Sequence, residues 1–195
     1  MKMNLMKMDQ KRNAFTIVEL LVVIGIIAIL AGLLLPVLGR VKEKGRITRA
    51  KAEVNNLASA VAQYQSAYTV LPAPDAAATA DLTFTNDNWK VMTILCDIDT
   101  APNPPNANHK KNPQKIRFFD PKAAETKDDP GFGPDNVLRD PWANPYVITL
   151  DLNYDNQCKD AFYCPGNTTL PCSAAVWSFG PDGLPNTKDD VVSWK

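Results

Sequence analysis

Apolar and polar positions fall into three successive patterns along the chain. From Leu20 to Leu35 every residue is apolar or glycine. With Phe15, Ile17 and Val18 ahead of it, and Val37 and Leu38 after Pro36, the run is long enough to cross a bilayer as one helix. It holds one carboxylate, Glu19, near its start. Gly25, Gly32 and Gly39 recur every seven residues, a stripe along which helices could approach closely. Pro36 has no amide to donate and its ring crowds the preceding turn, so a kink or local melting is expected there.

From residue 39 to 71 the pattern becomes amphipathic. Ile47, Ala50, Val54, Leu57, Val61, Tyr64 and Tyr68 follow helical spacings of three and four, with Lys, Arg, Glu, Asn and Gln between them. This predicts that the helix continues beyond the apolar run and lays one stripe on a core, until Leu71-Pro72-Ala73-Pro74 stops it. The third pattern, residues 72–195, is broken by prolines and turns. Residues 86–97 read as a short helix, capped by Asn86 or Asp87, with Trp89, Met92, Leu95 and Cys96 inward. Residues 115–120, 146–152 and 174–180 read as strands. The Pro/Asn-rich stretch 100–115, which carries the single histidine, His109, reads as a solvated surface loop. The class is therefore α+β.

Charge refines this. The chain carries 21 basic and 21 acidic residues, which argues against a nucleic-acid coat. Lys2, Lys7, Lys11 and Arg12 precede the apolar run, against a single acidic residue, Asp9. The positive-inside rule then keeps residues 1–14 in the cytoplasm and puts everything beyond Leu38 across the membrane. Cys96, Cys158, Cys164 and Cys172 all fall on that far side, where an even number suggests two disulfides in one of three pairings. Their spacing lacks the C-x₂₋₄-C signature of zinc sites. Asn167-Thr168-Thr169 matches a glycosylation tripeptide and carries little weight.

Two places hold candidate chemistry. A carboxylate in hydrocarbon costs about 2–3 kcal/mol even on lenient scales, so Glu19 is either hydrated at the interface or paired with a cation. Cleavage after Ala14 would give Phe15 a free amine, and on a neighbouring copy that amine could meet Glu19 in low dielectric. The second place is the Gly/Pro loop near the C-terminus, where Asp182, Asp189 and Asp190 offer hard oxygen ligands of the kind Ca²⁺ takes. On the motif alone a solvated turn is the better explanation, and the loop lacks the EF-hand pattern. No phosphate-loop, nucleophile-elbow or H-E-x-x-H motif is present.

Lys11-Arg12-Asn13-Ala14 followed by Phe15-Thr16-Ile17-Val18-Glu19-Leu20 resembles the class III signal of type IV pilins and pseudopilins. Glu19 is the fifth residue after Ala14 and Pro36 the twenty-second, the positions at which that family carries its glutamate and its helix-melting proline. The family usually has Gly where this chain has Ala14. The resemblance implies cleavage between Ala14 and Phe15 by a prepilin peptidase and N-methylation of Phe15. It also implies a pilin-like fold: a leader (1–14), a transmembrane and filament-core helix (15–38), its amphipathic continuation (39–71) and a β-rich globular domain (72–195). Asp140-Pro141-Trp142-Ala143-Asn144-Pro145-Tyr146, then Trp177-Ser178-Phe179-Gly180-Pro181-Asp182-Gly183 and a late Asp pair, resemble the major (G-type) pseudopilin of type II secretion. On that resemblance the loop binds Ca²⁺ through Asp182, Asp189 and Asp190 and the carbonyls of Phe179 and Leu184.

The expected function is then structural. A subunit waits in the inner membrane, its globular domain in the periplasm, and is extracted into a helical filament of its own kind as Glu19 docks on the Phe15 amine ahead of it. Its partners would be the peptidase, the inner-membrane assembly platform, minor pseudopilins and, before assembly, lipid. A type IV pilus major or minor pilin, acting as a fibre subunit or as a surface- or DNA-binding module, is the alternative. A periplasmic enzyme built on the three aspartates is disfavoured, because no nucleophile or base accompanies them.

Overall fold

The computed structural model describes residues 16–75, 79–99, 104–166 and 168–194, without the side chains of Pro36 and Val37. Ala14, Phe15 and Asn167 therefore lie outside the described residues. Contacts divide the chain between Glu43 and Lys44. The first helix, α1, runs Ile17–Tyr68 and takes part in both units. Up to Lys42 every described side chain on it is exposed, and this part is long and apolar enough to cross a membrane. The helix passes through Pro36 without interruption, so the local melting expected there is absent. Proline removes one rung of the ladder, and the apolar helix formers on either side hold the rest.

In the second unit the stripe predicted from spacing is the core-facing one. Ala50, Val54, Leu57, Val61 and Tyr64 are buried, and Tyr68 packs at the margin. They meet a sheet of four antiparallel strands in the order β1 (Leu82–Phe84), β4 (Val147–Leu150), β5 (Ala174–Ser178) and β6 (Val191–Val192). A separate hairpin pairs β2 (Gly131–Phe132) with β3 (Leu138–Arg139). Ile148 opposes Val176 and Leu150 opposes Ala174, so the pleat turns Ile148, Leu150 and Val176 into the same core as the α1 stripe. The alternate positions, Val147, Thr149, Ala175 and Trp177, are fully buried as well. This sheet is covered on both faces, the second by residues 158–164.

Helix α2 (Trp89–Leu95) lies one residue later than the capping expectation. Neither Asn86 nor Asp87 occupies the cap; Asn88 does, and it makes no side-chain cap bond. Its amide instead reaches across the core. Nδ2 donates to the carbonyls of Leu138 and Tyr146, both at 2.9 Å, and Oδ1 accepts from Leu138 N at 3.0 Å. Residues 115–120, expected as a strand, form none. The amides of Phe118 and Phe119 donate to Leu95 O at the end of α2, and the two rings pack on the core, so no edge is left to pair.

His109 is not solvated. Nδ1 lies 2.7 Å from Asp97 Oδ1 and Nε2 lies 3.2 Å from Asp99 Oδ2, which ties the Pro/Asn-rich segment to the end of α2. Both contacts are satisfied together when both ring nitrogens carry protons. Tyr64 donates to Lys111 O at 2.6 Å, and burial pushes its phenol up to about 12.

Two substitutions test this core. Leu57→Ala empties part of a fully buried position and should cost about 2–5 kcal/mol. Asn88→Ala takes the side-chain partner from the Leu138 amide and the Tyr146 carbonyl, while Leu138 O keeps the Tyr146 amide, and should cost about 1–3 kcal/mol. Denaturant melts of the full chain in detergent, followed by near-UV circular dichroism, check both.

Candidate functional site

The first site is the start of α1. Thr16 precedes the helix and Glu19 sits in its first turn, and the two close a capping box. Glu19 N donates to Thr16 Oγ1 at 3.2 Å, while Glu19 Oε2 accepts from Thr16 N at 2.9 Å and from Thr16 Oγ1 at 2.8 Å. The first amides of a helix have no intrahelical acceptor, and in hydrocarbon an unmade bond costs several kcal/mol. Glu19 therefore has a local use that the charge argument did not contain: it satisfies the helix end that leads into the apolar run. The signal was present as the tetrapeptide Thr16-Ile17-Val18-Glu19. Gly25, Gly32 and Gly39 have open space where a Cβ would stand, as a face available to other helices requires.

The second site is the C-terminal loop, whose two ends are held differently. At its start, the segment Asp140 to Tyr146 and the residues after β5 are joined physically. Ser178 Oγ donates to Asp140 Oδ2 at 2.6 Å, and Gly180 N donates to Ser178 Oγ at 3.1 Å. Asn144 Nδ2 donates to Gly180 O at 3.1 Å. Gly180 has φ of +68°, and a Cβ there would stand 2.5 Å from Asp189 O, so the loop closes on itself only over a glycine. Asp140 is fully buried; burial pushes its carboxyl up, against hydrogen bonds from Ser178, Trp142 and Asn144 that favour the charged form.

Within the loop, the oxygens gather on Thr187. Its Oγ1 lies 2.7 Å from Asp189 Oδ1, 3.4 Å from Asp190 Oδ1 and 3.5 Å from Leu184 O. A hydroxyl has one proton, so three acceptors, two of them on carboxylates, share one donor. Of the five ligands expected for Ca²⁺, Asp189, Asp190 and the Leu184 carbonyl are thus brought together, around a hydroxyl, Thr187, that sequence reasoning missed. Asp182 does not converge with them: Oδ1 accepts from Leu184 N at 2.9 Å, and its own amide donates to Asp189 Oδ2 at 3.2 Å. Phe179 packs its ring at a tilt against Trp177 and edge-to-face with Phe162. Among the described residues no three His, Cys, Asp or Glu side chains converge as on a metal. The hydrogen bond from Thr187 draws the Asp189 carboxyl below its ordinary value.

A third cluster was not read from the sequence at all. Asp160 is fully buried against the second face of the sheet. Oδ2 accepts from Thr149 Oγ1 at 2.6 Å and Trp177 Nε1 at 3.0 Å, and Oδ1 from the amides of Phe162 and Tyr163. Tyr163 in turn donates to Asp190, and its ring packs between Trp177 and Trp194. The segment that covers the sheet is in this way bonded to the C-terminal loop. The four cysteines are free thiols, not the two disulfides expected from their number. Cys96 is buried behind α2 in the main core, with burial pushing its thiol up to about 12, whereas Cys158, Cys164 and Cys172 belong to the segment over the other face.

Residues 9–35 match the prokaryotic N-terminal methylation motif. This is a type IV pilin-like signal, and it spans the end of the charged leader, Phe15, Glu19 and the apolar run. It implies processing by a prepilin peptidase and assembly into a fibre, and the apolar helix fits a membrane anchor. No curated protein and no solved structure matches the chain. The long helix with a small antiparallel sheet is consistent with the pilin-like class.

The depressed Asp189 carboxyl sets a pH dependence. Because its folded value lies below its unfolded one, near 3.9, its contribution is complete above that value and is lost as pH falls through the folded value. Thr187→Val should flatten the stability profile below about pH 4 and leave it unchanged near pH 7 apart from a constant offset, read from urea midpoints at each pH.

Proposed function

We propose that this chain is a structural subunit of a type II secretion pseudopilus, assembled from the inner membrane to drive protein export. The observation that carries the reading is the methylation motif over residues 9–35, ending in a helix whose apolar surface has no partner within the described chain. A helix of this kind is covered by lipid before assembly and by other copies after it, since apolar area is costly to leave in water. The peptidase cuts between Ala14 and Phe15, and Phe15 is methylated. The leader end stays cytoplasmic and the sheet-bearing unit is periplasmic.

Glu19 exchanges partners in this account. In the membrane its carboxylate caps its own helix through Thr16. In the fibre it meets the Phe15 amine of the preceding subunit, a charged donor stronger than the amide and hydroxyl it leaves. The connection between Asp140-to-Tyr146 and the C-terminal loop supports the secretion reading, because those two segments carry the resemblance to the major pseudopilin. The loop is proposed to hold Ca²⁺ through Asp189, Asp190 and the Leu184 carbonyl, with Thr187 turning its lone pairs inward. Bound there, the ion would supply the positive charge that one hydroxyl proton cannot spread over three acceptors. A surface type IV pilus subunit is the second reading, favoured by the cysteines that lie together near the C-terminus.

Mass spectrometry of the mature chain should find N-methylated Phe15 as its first residue. Glu19→Ala should leave the protein in the membrane and abolish fibres on electron micrographs; intact fibres sink the docking account. Millimolar Ca²⁺ should raise the melting temperature of the full chain in detergent, and Asp189→Ala should erase the rise; no rise with the unaltered chain removes the ion. Deleting the gene should stop export of secreted enzymes under the first reading, and surface adhesion or motility under the second.

A further inference from the structure

We propose that the basic band which follows the apolar run, Arg40 to Lys44, binds the headgroups of anionic phospholipid and so fixes the depth of the helix before assembly. The inference rests on the membrane-anchored reading.

Charge is segregated along the chain. Residues 39–51 carry six basic side chains, Arg40, Lys42, Lys44, Arg46, Arg49 and Lys51, against one acidic, Glu43. Residues 52–195 carry 11 basic and 18 acidic. The excess of cations beyond the apolar run is therefore confined to the stretch nearest it. In the proposed orientation this band crosses the membrane with the sheet-bearing unit, against the positive-inside tendency. Negative charge on the far side offsets that cost.

The six are not equivalent. Arg49 Nε holds Glu53 Oε1 at 2.8 Å, and Arg46 is also engaged within the chain. Arg40, Lys42 and Lys44 are exposed, and none of them makes an ion pair among the described residues. By helical rise they stand about 3, 6 and 9 Å beyond Leu38, where the run ends. The polar layer of a bilayer is about 5–8 Å deep on each side. Lysine and arginine stems bend back toward such a layer, so all three charges fall at headgroup level. Lys51, about 20 Å beyond Leu38, falls outside it.

At about 100° per residue, Lys42 lies across the helix from Arg40 and Lys44. The three make a collar, not one face. Lipids surround a helix on all sides, whereas a single docked protein covers one. An anionic headgroup offers these cations a net charge that a zwitterionic one lacks, and each cation near such a surface contributes about fivefold to association. A subunit that leaves for the fibre gives these contacts up, so the collar opposes extraction.

The test uses the full chain in nanodiscs of equal parts phosphatidylcholine and phosphatidylglycerol, with native mass spectrometry to count the lipids it retains. The unaltered chain should retain phosphatidylglycerol about fivefold or more over phosphatidylcholine, and molar sodium chloride should erode the excess. Glutamine keeps the helix and removes the charge. Arg40→Gln/Lys42→Gln/Lys44→Gln should therefore retain the two lipids equally, while Lys51→Gln keeps the excess. No excess with the unaltered chain, or equal loss in Lys51→Gln and the triple variant, overturns the assignment. If the excess is absent and a carbodiimide joins Lys42 or Lys44 to a carboxylate of a second copy, the band belongs to the neighbouring subunit instead. A chain that does not enter nanodiscs sinks the membrane-anchored reading and the collar with it, whereas entry without the excess sinks the collar alone.

Discussion

A sheet four strands wide has two faces and little edge, and neither face can be left to water when its central strands read Val-Ile-Thr-Leu and Ala-Ala-Val-Trp. Burial of the α1 stripe from Ala50 to Tyr64 against one face is the interaction on which the globular unit rests. Ile148, Leu150 and Val176 share this core with it, and α2 adds Val91, Met92, Ile94 and Leu95. Polar bolts fix the margins. Glu53 on α1 takes Arg49 at 2.8 Å and the Tyr146 hydroxyl at 2.6 Å, so the helix cannot slide along the sheet without breaking a charged hydrogen bond.

The opposite face is solved by different chemistry. Where α1 supplies aliphatic side chains, residues 158–164 supply a buried carboxylate and aromatic rings. Asp160 is tolerated there because four donors point at it, and a buried acceptor is expensive only when its bonds go unmade. A polar cover of this kind is directional. It fixes the position of Tyr163 and thereby of Asp190, which an apolar cover would leave free to drift.

The elements that could be read in advance were those with long periods or rigid punctuation. The α1 stripe was set by seven residues in helical register and ended by Pro72 and Pro74, and the runs at 146–152 and 174–180 contain β4 and β5. What escaped was non-local. β1, Leu82–Phe84, has three residues and exists because Thr149 and its neighbours offer an edge. Residues 115–120 carry strand-forming side chains, but their amides are taken by the end of α2. Thr187 and Asp160 are ordinary residues in sequence and gain meaning from what is folded around them. Glu19 was legible as a costly charge, whereas its bond to Thr16, three residues away, depends on where the helix starts, which an apolar run by itself does not mark.

Consider last where the Pro/Asn-rich segment leaves and returns. The chain departs α2 at Cys96 and Ile98, whose amides bond Met92 O and Thr93 O, and comes back at Phe118 and Phe119, whose amides bond Leu95 O. Exit and re-entry share one helical turn. This excursion is a detour with coincident ends, held by the His109 bonds to Asp97 and Asp99 and tied to α1 by Tyr64 and Tyr68, whose hydroxyls bond Lys111 O and Asn112. Loop length costs little once the ends are fixed. Its exposed stretches can therefore change without disturbing the sheet, as its buried Asn106 and Asn112 cannot, which makes those stretches the natural place for copies of this fold to diverge in what they display.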